Sequence, residues 1–148
     1  MMTTSLLKLE TKYFVGSAIM SNRSRGFKFE YKTLNILKRN PNVIEALRSG
    51  GSHSLFDVIG FQANGIRLIQ NKIDGYLKKE EREGLINFFK SLNYDFYKVV
   101  QFELWYYISK KKKKKAIIKP FGDYPIEKVI EKINSFNKKI KRGITEHI

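Results

Sequence analysis

The sequence predicts a mixed α/β domain in the order helix, three strands, helix, two strands, helix. Three features carry that prediction. Two short apolar runs, FDVIGFQ and IRLIQNKI, flank Ala63-Asn64-Gly65, and Asn-Gly between such runs is a strong short-range hairpin signal. A longer run from Tyr97 to Ile108 alternates in character, with Val100, Phe102, Leu104, Tyr106 and Ile108 on one face. Stretches with helical spacing precede, separate and follow these runs. The chain has 148 residues, 42% hydrophobic and 14% aromatic. That is enough apolar material for one core, and it excludes a wholly disordered chain. Residues 1–148 therefore read as one domain.

Taken in order, residues 1–20 are ambiguous, with Lys12 to Met20 open to either strand or short helix. SNRSRG follows as a polar loop carrying Arg23 and Arg25. A helix is expected from about Ser24, a plausible N-cap, to Arg39, where Asn40-Pro41 stops it. VIEAL reads as a short strand or a continuation of the helix, and RSGGSHS as a loop before the hairpin. From Lys78 to Leu92 an amphipathic helix sets Leu85, Phe88, Phe89 and Leu92 on one side, led in by KKEERE. After the long strand, the six lysines Lys110, Lys111, Lys112, Lys113, Lys114 and Lys115 are expected as a cationic loop, with AIIK as the returning strand. Asp123 and Pro125 open a last helix that aligns Val129, Ile133, Phe136 and Ile140.

Charge narrows the function. There are 29 Lys plus Arg against 14 Asp plus Glu, a net charge of +15, which points to a polyanion: nucleic acid first, an anionic membrane surface second. The membrane surface is the weaker reading, because no helix combines a Lys-rich face with a bulky apolar one. No apolar run is long enough to span a bilayer, and the N-terminus lacks the pattern of a secretory signal. The chain is expected to be soluble and cytoplasmic. Cysteine is absent, which excludes a disulfide framework, a thiolate zinc site and a cysteine nucleophile. No Walker motif occurs.

Two places carry candidate chemistry. In the first helix, Phe27, Glu30, Leu34 and Leu37 share one helical face. A carboxylate in an apolar stripe either reaches solvent from the stripe's edge or needs a partner or a job. In the hairpin, a two-residue turn at Asn64-Gly65 pairs Ala63 with Ile66, Asp57 with Lys72 and Ile59 with Gln70. Asp57, Gln70 and Lys72 then share a face, with Asp57 diagonal to Gln70 at roughly 7–8 Å. The alternative is a surface cross-strand ion pair of little energetic weight.

The succession of Arg25-Gly26 with Glu30, the loop Ser49 to Ser54, Asp57 opening a strand and Gln70-Asn71-Lys72 on the next resembles the PD-(D/E)xK nuclease superfamily. Within it the likeness is to the archaeal Holliday-junction resolvases, and it covers roughly residues 21 to 120. EREGLINFFKSL followed by FYKVVQFELWYYI also resembles the order of that family. The sequence departs from the pattern at two places. Phe56 stands where the family name has Pro, and Gln70 where the family usually has a carboxylate. Gln is neutral but keeps a carbonyl oxygen for a hard cation. Some superfamily members, a transposase endonuclease subunit among them, carry Gln there and are active.

The resemblance implies a restriction-endonuclease-like fold, a central mixed sheet flanked by helices. It also implies Mg²⁺- or Mn²⁺-assisted phosphodiester hydrolysis at branched DNA such as a four-way junction, by a homodimer. By that likeness Asp57, Gln70 and Glu30 hold the metal, Lys72 orients or activates water, and Ser52 contacts the scissile strand. Arg23, Arg25 and Arg48 flank the proposed site as phosphate contacts. The Lys110 to Lys115 run is read as a non-specific backbone contact, against the alternative of a solvated turn. His53, with no second histidine near it, reads as a phosphate or solvent contact. Trp105 and Tyr107 are expected either exposed, as a dimer or base-stacking surface, or packed beneath a helix. Two alternatives stand beside the resolvase reading: a DNA-binding module on the same fold without catalysis, and a nuclease acting on other DNA substrates.

Overall fold

The computed structural model describes residues 22–50, 54–73, 75–109, 112–142 and 146–147. Helix α1 (Asn22–Arg39) leads into β1 (Val43–Arg48), β2 (Val58–Gln62) and β3 (Gly65–Lys72). Helices α2 (Lys79–Ser91) and α3 (Tyr94–Lys98) then connect to β4 (Val100–Ser109), β5 (Lys112–Lys119), α4 (Ile126–Arg142) and the short β6 (Glu146–His147). The strands form one sheet in sequence order. All neighbours are antiparallel except β3 and β4, which run parallel. A parallel pair needs a crossover, and α2 with α3 supplies it.

The sheet separates two apolar layers. Beneath α1, Phe29 and Leu37 pack with Ala46, Val58, Ile69 and Trp105. On the other face, Leu85 and Phe89 of α2 and Val129, Ile133 and Phe136 of α4 pack on Leu68, Phe102, Leu104 and Tyr106. Each such buried side chain contributes roughly 1.5–3 kcal/mol relative to exposure, and the alternation of β4 lets it serve both layers. The mixed sheet flanked by helices is thus the expected α/β class. Among the described residues no helix is long and apolar enough to cross a membrane.

Several local expectations are corrected. Helix α1 starts at Asn22, so Ser24 lies inside it and SNRSRG is largely helical. Its buried stripe is Phe29, Thr33 and Leu37, while Phe27 is 41% exposed. The stripe is rotated because Thr33, fully buried, accepts a hydrogen bond from Asn71 Nδ2 at 2.8 Å. Tyr94–Lys98, partly assigned to the long strand, is a short helix capped by Asn93, whose Oδ1 accepts from the Phe96 N–H at 2.9 Å. Helix α4 begins at Ile126, with the Pro125 carbonyl accepting from Lys128 and Val129, so Asp123 lies ahead of the cap.

The lysine run is not a loop. Lys112 to Lys115 belong to β5 and pair with β4, Lys113 opposite Tyr107, Lys114 opposite Tyr106 and Lys115 opposite Trp105. Lys114 is only 8% exposed. Lys110 and Lys111 lie outside the described residues. Trp105 is 1% exposed, and the Tyr107 ring packs on Phe29 at 4.5 Å. Trp105 is therefore buried beneath α1, and Tyr107, partly buried, packs against the same layer.

The hairpin keeps its predicted faces and changes its register. Gln62 pairs with Gly65 and Ile59 with Leu68, so the turn is Ala63-Asn64 and β3 slides by two residues. Gly65 explains the slide. It takes φ +150°, and a Cβ there would stand 1.9 Å from the Val99 carbonyl oxygen, the atom that receives the Ile66 N–H at 2.8 Å. Because the slide is even, the side chains of β3 stay on their expected sides of the sheet.

Candidate active site

Asp57 sits immediately ahead of β2 and straddles Gln70 of β3. Its N–H donates to the Ile69 carbonyl at 2.8 Å, and its Oδ2 accepts from the Asn71 N–H at 2.7 Å. The expected pairing of Asp57 with Lys72 is thus replaced by bonds to the backbone of Ile69 and Asn71, on either side of Gln70, with Lys72 further along β3. Burial pushes the Asp57 carboxyl up to about 6, against the Asn71 N–H and the Lys72 charge, with Glu30 and Glu81 adding to the rise. Three carboxylates, those of Asp57, Glu30 and Glu81, therefore share one electrostatic neighbourhood with Lys72.

Gln70 is 7% exposed. Its Nε2 donates to Glu81 Oε2 at 3.4 Å, while its carbonyl oxygen is buried without a hydrogen-bond partner. A buried acceptor left unmade costs about 1–3 kcal/mol. Lys72 Nζ donates to both Glu81 oxygens, at 2.9 and 2.7 Å. Glu81, in the first turn of α2, also accepts the Lys78 N–H at 2.9 Å and so helps to cap the helix.

Glu30 approaches from α1, on the other side of the sheet, and is engaged by Arg48 Nε at 3.1 Å. The Arg48 guanidinium also donates to Tyr31 Oη at 3.0 Å and lies 4.4 Å from the Tyr31 ring centroid. This holds Arg48 between β1 and α1. A cleft of about 540 Å³ opens beside these groups, with Arg25, Glu30, Asn71, Lys72 and Lys78 among its lining residues. Asp57 and Gln70 are not among the lining residues. The structure thus brings Asp57, Gln70, Lys72 and Glu30 to one end of the sheet, and Arg25 and Arg48 beside them. Ser52 and His53 fall outside the described residues, as does the side chain of Arg23. Lys112 to Lys115 lie on β5, separated from β3 by β4.

A hard divalent cation takes oxygen ligands gathered around one point. The unpartnered Gln70 oxygen offers a neutral ligand, and a cation would relieve the repulsion that Glu30 and Glu81 exert on Asp57. Among the described residues, no group of three or more Asp, Glu or His side chains is gathered closely enough to form a metal centre by itself; Glu30 is turned to Arg48 and Glu81 to Lys72.

Glu81 is the functional candidate that sequence reasoning missed. It was read within the charges leading into α2. The signal available was an acid at the third position of that helix, nine residues after Lys72. No protein-family model matches the sequence, and neither a curated protein nor a solved structure matches it.

Proposed function

We propose that this chain is a metal-dependent, structure-selective DNA endonuclease of restriction-endonuclease-like fold, resembling the archaeal Holliday-junction resolvases. One observation supports it most. Asp57, Gln70 and Lys72 meet at the end of two adjacent strands, beside a cleft lined by Arg25, Lys72 and Lys78 in a chain of net charge +15. Asp57 and the Gln70 carbonyl oxygen, helped by Glu30, would hold Mg²⁺ or Mn²⁺. When bound, such an ion polarises the scissile phosphate and lowers the pKa of a water. Lys72 orients that water and offsets charge gathering on the phosphate. Arg25 and Lys78 hold the flanking backbone, an interaction that weakens steeply with salt. A two-fold dimer would present two such sites to the two strands of a four-way junction.

A second reading, a DNA-binding module without catalysis, is favoured by the neutral Gln70 and by the Lys72–Glu81 ion pair that engages the lysine. Cleavage of labelled four-way junction, fork, duplex and single-stranded DNA separates the readings, run with Mg²⁺, Mn²⁺ or EDTA. The nuclease makes paired, metal-dependent nicks near the branch point, and Asp57→Asn abolishes them while binding persists. Cutting spread over the other substrates keeps the nuclease and changes its target. Tight, salt-sensitive binding without cleavage under any metal establishes the module.

A further inference from the structure

Helix α1 carries far more charge than its own stability calls for. Six of its 18 residues are Lys or Arg, and its one acid, Glu30, is engaged by Arg48. Its first turn holds no acid, and basic residues there oppose the helix macrodipole. On this cationic surface stand two aromatic rings, one helical turn apart. Phe27 is 41% exposed and Tyr31 52%, and neither belongs to the apolar layers on the two faces of the sheet. The Arg48 guanidinium lies 5.3 Å from the Phe27 ring centroid and 4.4 Å from that of Tyr31, and it donates to Tyr31 Oη and Glu30 Oε1. It therefore steadies both rings while leaving much of their surface in water. Glu30, beside Tyr31 in sequence, lines the cleft together with Arg25 and Gly26, so the rings adjoin the cleft wall.

We propose that Phe27 and Tyr31 form a stacking platform for an unpaired nucleobase of DNA whose backbone lies along the cationic cleft. This rests on the DNA-binding reading above and is independent of cleavage. A base presents a flat π-face to an aromatic ring whatever its identity, while its phosphates meet Arg25 and Lys28 of the same helix. The charge on α1 selects the occupant. A second copy would set the same cationic helix against this one, and an uncharged apolar partner would leave the cations unmet. A polyanion that also carries exposed aromatic faces satisfies both halves of the surface. Duplex DNA keeps its base faces inside the stack, so the platform engages tails, forks and flaps, and a fully paired junction offers it nothing.

The test is equilibrium binding of the full chain, in EDTA and at fixed salt, to three DNAs: a blunt duplex, the same duplex with a single-stranded tail, and that tail with abasic sites in place of its bases. Wild type should bind the tailed duplex roughly tenfold more tightly than the abasic one, which keeps every phosphate. Phe27→Leu and Tyr31→Leu keep apolar bulk but lose the ring, so each should lose most of that ratio with blunt-duplex affinity unchanged. Tyr31→Phe loses the bond to Arg48 and keeps the ring, so it should keep the ratio. A ratio that survives both Leu variants overturns the proposal. If Tyr31→Leu folds poorly, Phe27→Leu alone decides, because its side chain makes no hydrogen bond. Self-association that Phe27→Leu abolishes, without any base preference, gives the rings to a second copy and overturns the proposal. A wild type that binds all three DNAs equally removes the platform alone. A wild type that binds none of them removes the DNA reading with it.

Discussion

Glu103, in the middle of β4, and Asp57, at the end of β2, are both withdrawn from water, yet their surroundings push them in opposite directions. Burial alone would raise the Glu103 carboxyl. The Arg67 guanidinium, at 2.6 and 2.8 Å, outweighs burial, and with Gln101 and Trp105 donating at 2.9 Å each it holds Glu103 below the usual carboxylate range. Asp57 has one backbone donor at bonding distance, and two other carboxylates raise it further. The first arrangement fixes the sheet beneath α1. The second is a charge only partly compensated, by the Asn71 N–H and Lys72.

The largest break in this comparison comes at the satisfied end. Arg67→Ala leaves Glu103 buried without its counter-ion and should cost about 3–5 kcal/mol, read as a fall in the urea midpoint. Because Glu103 is held below its ordinary value, the stability it contributes is present above pH ~4.5 and is lost as pH falls through its lowered folded value.

Asp57→Asn should act with the opposite sign. The folded state binds the Asp57 proton more tightly than the unfolded chain does, so between pH ~3.8 and ~6 wild-type stability falls as pH rises. The neutral variant escapes this and should gain about 1–3 kcal/mol at pH 7.5, with no gain at pH 3.5. It should also lose all cleavage. Equal stability at pH 7.5 would show that Asp57 is already compensated.

Gln70→Glu sharpens the comparison by adding a charge to the strained end. Metal-free stability at pH 7.5 should fall by about 1 kcal/mol, and millimolar Mn²⁺ should recover it. Cleavage should persist or need less metal. The smallest effects belong to β5. Lys113→Ala or Lys115→Ala should shallow the salt slope of DNA binding by about one unit each and leave the position of cleavage unchanged. An unchanged slope would make these lysines covers for β4 only.

The α/β class and the grouping of Asp57, Gln70 and Lys72 were legible because side-chain alternation in a strand survives an even shift of register. The pairing itself was not, because tertiary packing chose it: Gly65 is pressed under the Val99 carbonyl, a contact made by residues 34 positions apart. The rotated stripe of α1 was hidden for a similar reason, since buried Thr33 is satisfied by Asn71 of β3. Lys112 to Lys115 read as a loop because charge usually marks solvent, whereas the pairing with β4 that makes them a strand is set by tertiary structure. Glu81 escaped notice because it reaches Lys72 across the turn from β3 to α2 rather than along a strand.

The most direct measurement is Mn²⁺ affinity for wild type and Asp57→Asn at pH 5 and pH 8. The proposed site predicts wild-type binding at pH 8 that weakens by roughly tenfold at pH 5, where the raised Asp57 carboxyl is mostly protonated. Asp57→Asn should bind weakly at both. Wild-type affinity that is the same at both pH values, or that survives Asp57→Asn, would contradict it.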